Sequence, residues 1–413
     1  MTSRPARYLY LSCALGTALS ACSPTGGTEP TDGSVPTETG GVTGSGGVTG
    51  SAGARAGLGG ATGAAGSRGS VGGAAGGNAA GGRTGAGGIT GAAGATGLGG
   101  GAASDTLVGW AAQGCSVGSV TTTTGGGALT PTVVTTLSAL NSAAGGTAAR
   151  VIQFSGNLSG SLTVGSNKTI IGSAGATISG HVELDRSANV ILKNFTVVGL
   201  NCSDVPSNGD CQDGADGVTV NNGAHHIWLD HLDISDGSDG NLDITNASDC
   251  VTVSWSKFHY STSRVAGYTG EVHHFSSLVG GDDAATGDAG HLRVTWHHNW
   301  WADHVVERQP RVRFGQNHIF NNLWTSTGNN YCVAAAVSSN VLTENNAFIN
   351  VKDAVDTTNY SNAATIAFSQ GNLYTGTAVP ANKGTGVFTP PYPYTLDVAT
   401  TVQAAVTAGA GPH

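Results

Sequence analysis

The sequence predicts an all-β protein whose folded part is a right-handed, single-stranded parallel β-helix. Three observations support this: short β-type segments recur, their spacing fits single turns of a solenoid, and helical periodicity is almost absent. The chain has 413 residues, of which 67 are glycine and only 10% are charged, and this composition, with its many Thr, Ser, Ala and Asn residues, indicates a β-rich extracellular protein. Because the formal net charge is −9, no nucleic-acid partner is expected.

Residues 1–21 are predicted to be a lipoprotein signal peptide. Arg4 and Arg7 precede an apolar core at residues 8–19, which is too short to span a bilayer. The run ends in Leu-Ser-Ala-Cys, which resembles a bacterial lipobox, and this makes Cys22 the lipid anchor. The expected location is therefore outside the cell, as a secreted or cell-surface lipoprotein of a bacterial envelope, with membrane contact only through the lipid. The alternative is an ordinary secretory signal followed by a chance cysteine.

Residues 22–104 are predicted to be the lipidated N-terminus and a disordered linker. The segment is dominated by Gly, Ala, Thr and Ser, and residues 23–104 contain no aromatic residue. Such a composition cannot bury enough apolar surface to offset the entropy lost on ordering the backbone. A flexible coil of about 80 residues has a reach of roughly 50 Å, which would hold the folded part away from the envelope.

Residues 105–413 are predicted to form the β-helix domain, because segments of alternating apolar and polar residues recur there. The spacings between matched apolar positions are 37, 24, 43, 25 and 22 residues, and the two long steps are interpreted as coils with loop insertions. The competing architectures are a β-sandwich and a β-propeller, and a propeller would need a period near 40 residues or more. The matched positions are Val190, Ile227, Val251, Val294, Ile319 and Val341.

Two smaller features complete the fold prediction. Asparagines recur at similar places in the segments and predict a ladder of stacked amides at Asn194, Asn299, Asn322 and Asn346. One weak helix candidate runs from residue 132 to residue 144.

Cysteines in an exported chain are free to form disulfides. Cys202 and Cys211 are close in sequence and flank a polar loop, so they are the preferred pair. Five cysteines remain after the signal peptide and the anchor are set aside, so at least one thiol is expected to stay free. These five are Cys115, Cys202, Cys211, Cys250 and Cys332.

A set of aspartates indicates a metal site. Asp239 and Asp243 are four residues apart, so on a strand both would project from the same face. Asp216 lies 23 residues before Asp239, about one coil earlier, and would stack beside it. Converging carboxylates repel one another unless a cation lies among them, and an all-oxygen set favours Ca²⁺. Asp213 is a candidate fourth ligand, and the alternative is that these are turn aspartates of Asp-Gly steps.

An arginine cluster indicates an anionic substrate. Arg308, Arg311 and Arg313 lie within six residues, in the string Arg-Gln-Pro-Arg-Val-Arg. A guanidinium matches a carboxylate with two parallel hydrogen bonds. Together with the acidic metal site, the cluster predicts a polymeric substrate that bears carboxylates.

Longer strings resemble the pectate lyase family: IWLDH, DGNLDITNASDCVTVSWSKF and VTWHHNWWADHVVERQPRVRFGQNHIFNN. The resemblance covers most of residues 108–350, and its most specific part is Arg-x-Pro-x-x-Arg followed by Gly and His-x-x-Asn-Asn. It implies a parallel β-helix enzyme that cleaves polygalacturonate (pectate) by calcium-dependent β-elimination, as a monomer. Matched by position, the family's functional residues imply calcium ligands at Asp216, Asp239 and Asp243, a catalytic base at Arg308, and substrate binding by Arg313.

The chain departs from the family pattern at two places. His273 and His274 stand where relatives usually have lysine or arginine, so His274 is expected to bind the substrate carboxylate less firmly than a cationic side chain would. Thr245 stands where some relatives have lysine. Both changes affect the expected substrate affinity and leave the expected reaction type unchanged.

The implied chemistry is physically consistent. The C5 proton of a uronic acid lies α to a carboxylate, and calcium would neutralise the charge that builds up on its removal. Arg313, and with it Arg311, would donate hydrogen bonds to the developing oxyanion. Because arginine has a pKa above about 12, a base at Arg308 implies an alkaline optimum. The alternative is that Arg308 only holds the carboxylate while water or hydroxide takes the proton.

Two other functions stay open at this point. A pectin lyase acting on methyl-esterified polymer would need no calcium, and the aspartates and arginines argue against it. A non-catalytic cell-surface carbohydrate-binding β-helix would suit the anchor and the linker, and the complete arginine motif argues against it.

Overall fold

Short parallel strands stack in three columns, so that each strand pairs with a strand of the preceding coil and one of the next. The computed structural model describes residues 106–199, 216–263, 273–361 and 363–413. The predicted signal peptide and linker with Cys22, the predicted Cys202–Cys211 pair and Asp213 lie outside these residues. In the described ranges, neither α-helix is long and apolar enough to cross a membrane.

The first column, column A, contains ten strands with parallel register throughout. Two of them, β8 and β10, are 11 residues long, and their second halves belong to the next column. The strands are β1 Thr132–Val134, β2 Arg150–Phe154, β5 Lys168–Gly172, β8 Ala188–Val198, β10 His225–Ser235, β12 Asp249–Ser254, β15 Val294–His297, β18 Gln316–Phe320, β21 Asn340–Glu344 and β24 Ile366–Gln370.

Column B adjoins column A and continues from the second halves of β8 and β10. Its other strands are β3 Asn157–Ser159, β6 Thr177–Ser179, β13 Lys257–His259, β16 Trp300–Trp301, β19 Leu323–Trp324, β22 Ala347–Ile349 and β25 Leu373–Thr375.

Column C is a separate sheet of eight strands, and it forms another side of the solenoid. Its strands are β4 Leu162–Thr163, β7 Val182–Asp185, β9 Val218–Asn221, β11 Leu242–Ile244, β14 Ser277–Val279, β17 Arg311–Val312, β20 Tyr331–Ala335 and β23 Asp353–Asp356. Coils joined by parallel pairing in three columns confirm the predicted parallel β-helix.

The core lies inside the solenoid and follows from alternation along each strand. In β7, for example, Val182 and Leu184 are fully buried while the residues that follow them are partly exposed. Column B adds an aromatic stack in which neighbouring ring centroids are 4.3–5.4 Å apart. The stacked residues are Phe258, Trp301, Trp324, Phe348 and Tyr374. Like side chains on successive coils therefore contact one another along the axis.

The asparagine ladder is present over most of its predicted length. Asn299 donates to Asn322 at 3.1 Å, and Asn322 donates to Asn346 at 3.1 Å. Asn346 donates in turn to Asn372 at 2.9 Å, a member that the sequence analysis missed. The prediction was wrong for Asn194, whose amide donates to the carbonyl oxygens of Gly172 and His413 instead.

The predicted alignment of coils is correct except at one position. Val190, Ile227, Val251 and Val294 follow one another in column A. The next partner of Val294 is Asn317, which pairs with Val341, whereas Ile319 lies opposite Trp296. A polar residue therefore occupies the matched position in that coil, so the apolar pattern alone selected a residue two places too late.

Two helices pack on the β-helix. The N-terminal helix α1, Leu137–Ala144, begins after Thr136, whose side chain accepts a hydrogen bond from the amide of Ala139. The predicted helix at residues 132–144 is thus correct in its second half, while its start forms strand β1. The C-terminal helix α2, Ala399–Gly409, was missed, although Val402 and Val406 pack in a cluster with residues of β19 and β22.

The cysteines give one disulfide within the described residues. Cys115 is bonded to Cys250 across a sequence separation of 135 residues, and Cys332 is a buried free thiol. Asp249 lies close to the two bonded sulfur atoms. This grouping is not a metal site, because cysteines in a disulfide have no thiolate to offer.

Candidate active site

Outward-facing side chains of column C bring the predicted acidic and basic residues onto one side of the solenoid. In β11 the flanking residues Leu242 and Ile244 are fully buried, so Asp243 between them points outward and is partly exposed. The register aligns Asp243 with Leu278, and Leu278 with Arg311. Asp243 and Arg311 therefore lie in one outward row, two coils apart, or roughly 10 Å.

Asp216 and Asp243 direct carboxylate oxygens toward the same place, beside Gly240. A Cβ atom at Gly240 would lie 3.0 Å from Oδ1 of Asp216 and 3.3 Å from Oδ1 of Asp243. Asp216 is 9% exposed, and its Oδ2 accepts a hydrogen bond from the hydroxyl of Thr219 at 2.9 Å. Its Oδ1 is buried and has no hydrogen-bond partner among the described residues. A buried, unsatisfied carboxylate oxygen of this kind suits a cation ligand.

Burial and mutual repulsion raise the pKa values of two of the acidic groups. Burial, followed by the nearby charge of Asp239, raises the pKa of Asp216 to about 7. Burial, followed by the charge of Asp216, raises the pKa of Asp243 well above its usual range. Arg308 opposes both shifts, which places this guanidinium within electrostatic range of the acidic pair. A divalent cation would relieve the same repulsion, so the residues fit calcium.

The predicted stacking of Asp216 on Asp239 is wrong by one residue. Column C pairs Val218 with Leu242, an offset of 24 residues, so Asp216 aligns with Gly240. Asp239 precedes β11 in a bend, and its side chain is 58% exposed. Within the described ranges, the three predicted ligands do not bring their oxygens within 4.8 Å of one another. The structure therefore forms a close pair, Asp216 and Asp243, with a third and more exposed carboxylate, Asp239, nearby.

Arg308 has a positive φ of 57° and precedes β17. Its Cζ lies 4.5 Å from the ring centroid of Phe275, and its carbonyl oxygen accepts a hydrogen bond from the amide of Ser277 at 2.5 Å. The aromatic face supports the flat guanidinium on one side.

Arg311 and Arg313 follow on the same column and are held by different partners. Arg311 is 6% exposed, and its Cζ lies 4.0 Å from the ring centroid of Tyr360. Arg313 is 8% exposed and donates hydrogen bonds to Asp283 and to the carbonyl oxygens of Gly280 and Gly281. Burial, followed by the charge of Arg311, lowers the pKa of Arg313.

The histidine expectation needs correction. His274 is 2% exposed, and its ring packs 4.7 Å from the ring of Tyr260, so it does not face the solvent. Its neighbour His273 lies at the acidic site instead, where Nε2 is 3.3 Å from Oδ1 of Asp239. Adjacent residues point to opposite sides of an extended backbone, and the sequence did not reveal which of the two would face outward.

The comparison with known families shows which family the chain belongs to. The family model described as "Pectate lyase" matches residues 72–412, more than half of the chain. The chain belongs to the pectate lyase family. The match begins inside the predicted linker and covers every aspartate and arginine of the candidate site.

Individual pectate lyases agree with this assignment. The chain is 35% identical over 260 residues to a probable pectate lyase B of Aspergillus flavus, which covers 59% of this chain and 71% of the relative. It is 29% identical over 286 residues to a pectate lyase of Bacillus subtilis, covering 59% and 64%. A solved structure described as pectate lyase bound to hexasaccharide shares the fold, with a TM-score of 0.58 at 23% identity, covering 74% of this chain and 96% of that one.

Three residues of this candidate site were missed in the sequence. Asp283 contacts Arg313, Tyr360 covers Arg311, and Phe275 supports Arg308. Each contacts an arginine from a different coil or loop, at separations of 30 to 49 residues. No local pattern marks such a contact, although two adjacent aspartates, Asp282 and Asp283, were a usable signal in a chain with few charges.

Proposed function

We propose that the protein cleaves α-1,4-linked polygalacturonate by calcium-dependent β-elimination and releases 4,5-unsaturated oligogalacturonates. The observation that carries this proposal is the close Asp216–Asp243 pair at Gly240, which lies within electrostatic range of Arg308. Membership of the pectate lyase family supports the same reaction.

Calcium would be held by Asp216, Asp243 and the more exposed Asp239. Bound there, it would neutralise the carboxylate of the substrate and acidify the neighbouring C5 proton. The donor set supports a hard divalent ion, because it consists of carboxylates with one buried oxygen left unsatisfied.

The arginines would carry the remaining chemistry. Arg308, in its neutral form, takes the C5 proton, a double bond forms between C4 and C5, and the C4–O bond of the glycosidic link breaks. The departing oxygen takes a proton from water, and the hydroxide that remains takes the C5 proton from Arg308, so both are restored and the reaction consumes no co-reactant. Arg311 and Arg313 donate hydrogen bonds to the carboxylate as its charge grows. Because a guanidinium has a pKa above about 12, we expect activity to rise toward alkaline pH.

The test is an ultraviolet absorbance assay of the purified full chain on polygalacturonate across pH 7 to 10. We expect absorbance from the unsaturated product to rise, EDTA to abolish the rise, and added calcium to restore it. Activity on methyl-esterified pectin that survives EDTA would favour a pectin lyase. Binding of oligogalacturonate without absorbance on any pectic polymer would favour a non-catalytic carbohydrate-binding β-helix.

A matched variant tests whether Arg308 acts as the catalytic base or only through its positive charge. Arg308→Lys keeps a positive charge but removes the planar group, and we expect it to lose most of the turnover while still binding oligogalacturonate. Turnover at the wild-type rate would remove Arg308 from the role of base.

We also propose, from residues 1–22 alone, that the protein is exported and held at the bacterial envelope by a lipid on Cys22. A surface location fits an enzyme whose polymeric substrate cannot enter the cell. The proposed catalytic unit is a monomer.

A further inference from the structure

Most of the hydrogen-bond donors of Arg313 are already occupied within the protein. A guanidinium has five N–H groups. The Nε–H group donates to Oδ1 of Asp283 at 2.5 Å. Nη1 donates to the carbonyl oxygens of Gly280 at 2.7 Å and Gly281 at 3.3 Å. Only Nη2 has no hydrogen-bond partner among the described residues. A carboxylate can pair with a guanidinium along the Nε–Nη2 edge or the Nη1–Nη2 edge, and in Arg313 one nitrogen of each edge is already occupied.

The loop that follows β14 is shaped to make these contacts. Gly280 has a φ of +85°, and a Cβ atom there would lie 2.9 Å from Cβ of Arg313, so only glycine allows the backbone to approach this closely. Asp283 follows three residues later and is 39% exposed in its side chain. The loop therefore holds the inner side of the guanidinium with backbone oxygens and the outer side with a carboxylate.

Asp283 acts against the other influences on the pKa of Arg313. Burial and the two neighbouring arginines lower the pKa of Arg313, whereas the hydrogen bond and the charge of Asp283 raise it. Three guanidiniums crowded on one column repel one another. Asp283 is the carboxylate that directly contacts this one.

We propose that Asp283 is a positioning residue, which fixes the Arg313 guanidinium so that its Nη2 group alone meets a carboxylate of the polymer. The inference rests on the proposed function, because it assigns Arg313 to substrate binding. It implies that Arg313 binds the substrate through one nitrogen, Nη2. The orientation of that nitrogen then depends on Asp283, a loop residue that does not contact the reacting atoms.

The test compares two adjacent aspartates of the same loop. Asp283→Ala frees Nε and removes one negative charge, whereas Asp282→Ala removes the same charge without touching Arg313, since Asp282 accepts a hydrogen bond from the amide of Ala284. For polygalacturonate we expect Asp283→Ala to raise KM about five- to tenfold with kcat within about twofold, and Asp282→Ala to leave both within about twofold. Equal effects of the two variants, or a loss confined to kcat, would overturn the proposal.

A conservative variant and two direct measurements complete the design. Asp283→Asn keeps an oxygen that accepts the Nε–H bond, so we expect it to bring KM back to within about threefold of wild type. In NMR spectra, the Nε–H resonance of Arg313 should be protected from exchange in the wild type and in Asp282→Ala, and lost in Asp283→Ala. Protection that persists in Asp283→Ala would contradict the assigned contact.

A further measurement distinguishes failure of the proposed function from failure of the positioning role of Asp283. Calorimetric binding of trigalacturonate in calcium reports on the substrate independently of turnover. If the wild type neither binds this probe nor cleaves the polymer, the proposed function is wrong even where the Nε–H resonance depends on Asp283. If the wild type does both and Asp283→Ala binds the probe as tightly as Asp282→Ala, only the positioning role is wrong.

Discussion

At the scale of single residues, the absence of a side chain at position 240 is as important to the proposed metal site as the acids themselves. Gly240 lies where oxygens of Asp216 and Asp243 converge, and its backbone conformation is one that other residues adopt. The glycine is therefore needed for space and not for backbone freedom.

Gly240→Ala tests this space without removing a ligand. The added Cβ would lie 3.0 Å from the Asp216 oxygen and 3.3 Å from the Asp243 oxygen, so we expect calcium affinity to fall about tenfold or more while the fold persists. The measurement is a calcium titration of activity, with circular dichroism as the check on folding. Gly287→Ala is the control, because a Cβ there would meet no atom within 4 Å. Unchanged calcium dependence in Gly240→Ala would remove the site from this position.

The site residues show what a sequence reveals at this scale. The three aspartates and the arginine string were visible because their chemistry and spacing are unusual in a chain with few charges. His273 was not chosen over His274, because which of two adjacent side chains faces outward depends on a backbone that neither residue type dictates. Asp283 was not found, because its partner lies 30 residues away.

At the scale of elements, coils are joined by ladders that run along the axis. Asn322 is fully buried and donates to Trp296, Phe320 and Asn346 while it accepts from Asn299. Each ladder amide therefore satisfies donors and acceptors on three coils, and loss of one member leaves buried partners unsatisfied.

Asn322→Ala is expected to lower the free energy of unfolding by about 2–4 kcal/mol, because at least two buried groups lose their partners. Urea unfolding followed by circular dichroism measures the change. Asn340→Ala is the matched control on β21, where the side chain makes only longer bonds of 3.3 and 3.5 Å at the surface, and we expect less than about 1 kcal/mol. Similar losses in both variants would show that the ladder contributes no more than a surface amide.

At the scale of the whole molecule, we expect histidines that are buried in their neutral form to lower the stability of the protein in acid. Burial, followed by the charge of His225, lowers the pKa of His226 to about 4, and burial also lowers the pKa values of His297 and His318. An unfolded chain, with histidine pKa values near 6.5, binds more protons than the folded protein below that pH. Stability from these groups is therefore complete above pH 6.5 and is lost as the pH falls from 6.5 toward 4.

His226→Asn removes one such group and keeps a residue type that tolerates the positive φ of 55° at this position. We expect the fall in unfolding free energy between pH 6.5 and pH 4 to be smaller in the variant by about 1–2 kcal/mol, whatever its stability at neutral pH. Denaturant unfolding at several pH values measures this slope. An identical slope in the wild type and the variant would exclude His226 as a source of acid sensitivity.

The sequence by itself determined the class of fold, the inward face of most strands, most of the asparagine ladder and the chemistry of the proposed site. These features are periodic or compositional, so the residue pattern that indicates them recurs in each coil. The tertiary structure alone decided which residues of different coils meet: Asp216 with Gly240, Arg313 with Asp283, and Cys115 with Cys250 across 135 residues. The physical reason is that loops of unequal length separate the coils, so the register between them is fixed by backbone pairing and core packing, which no local pattern records.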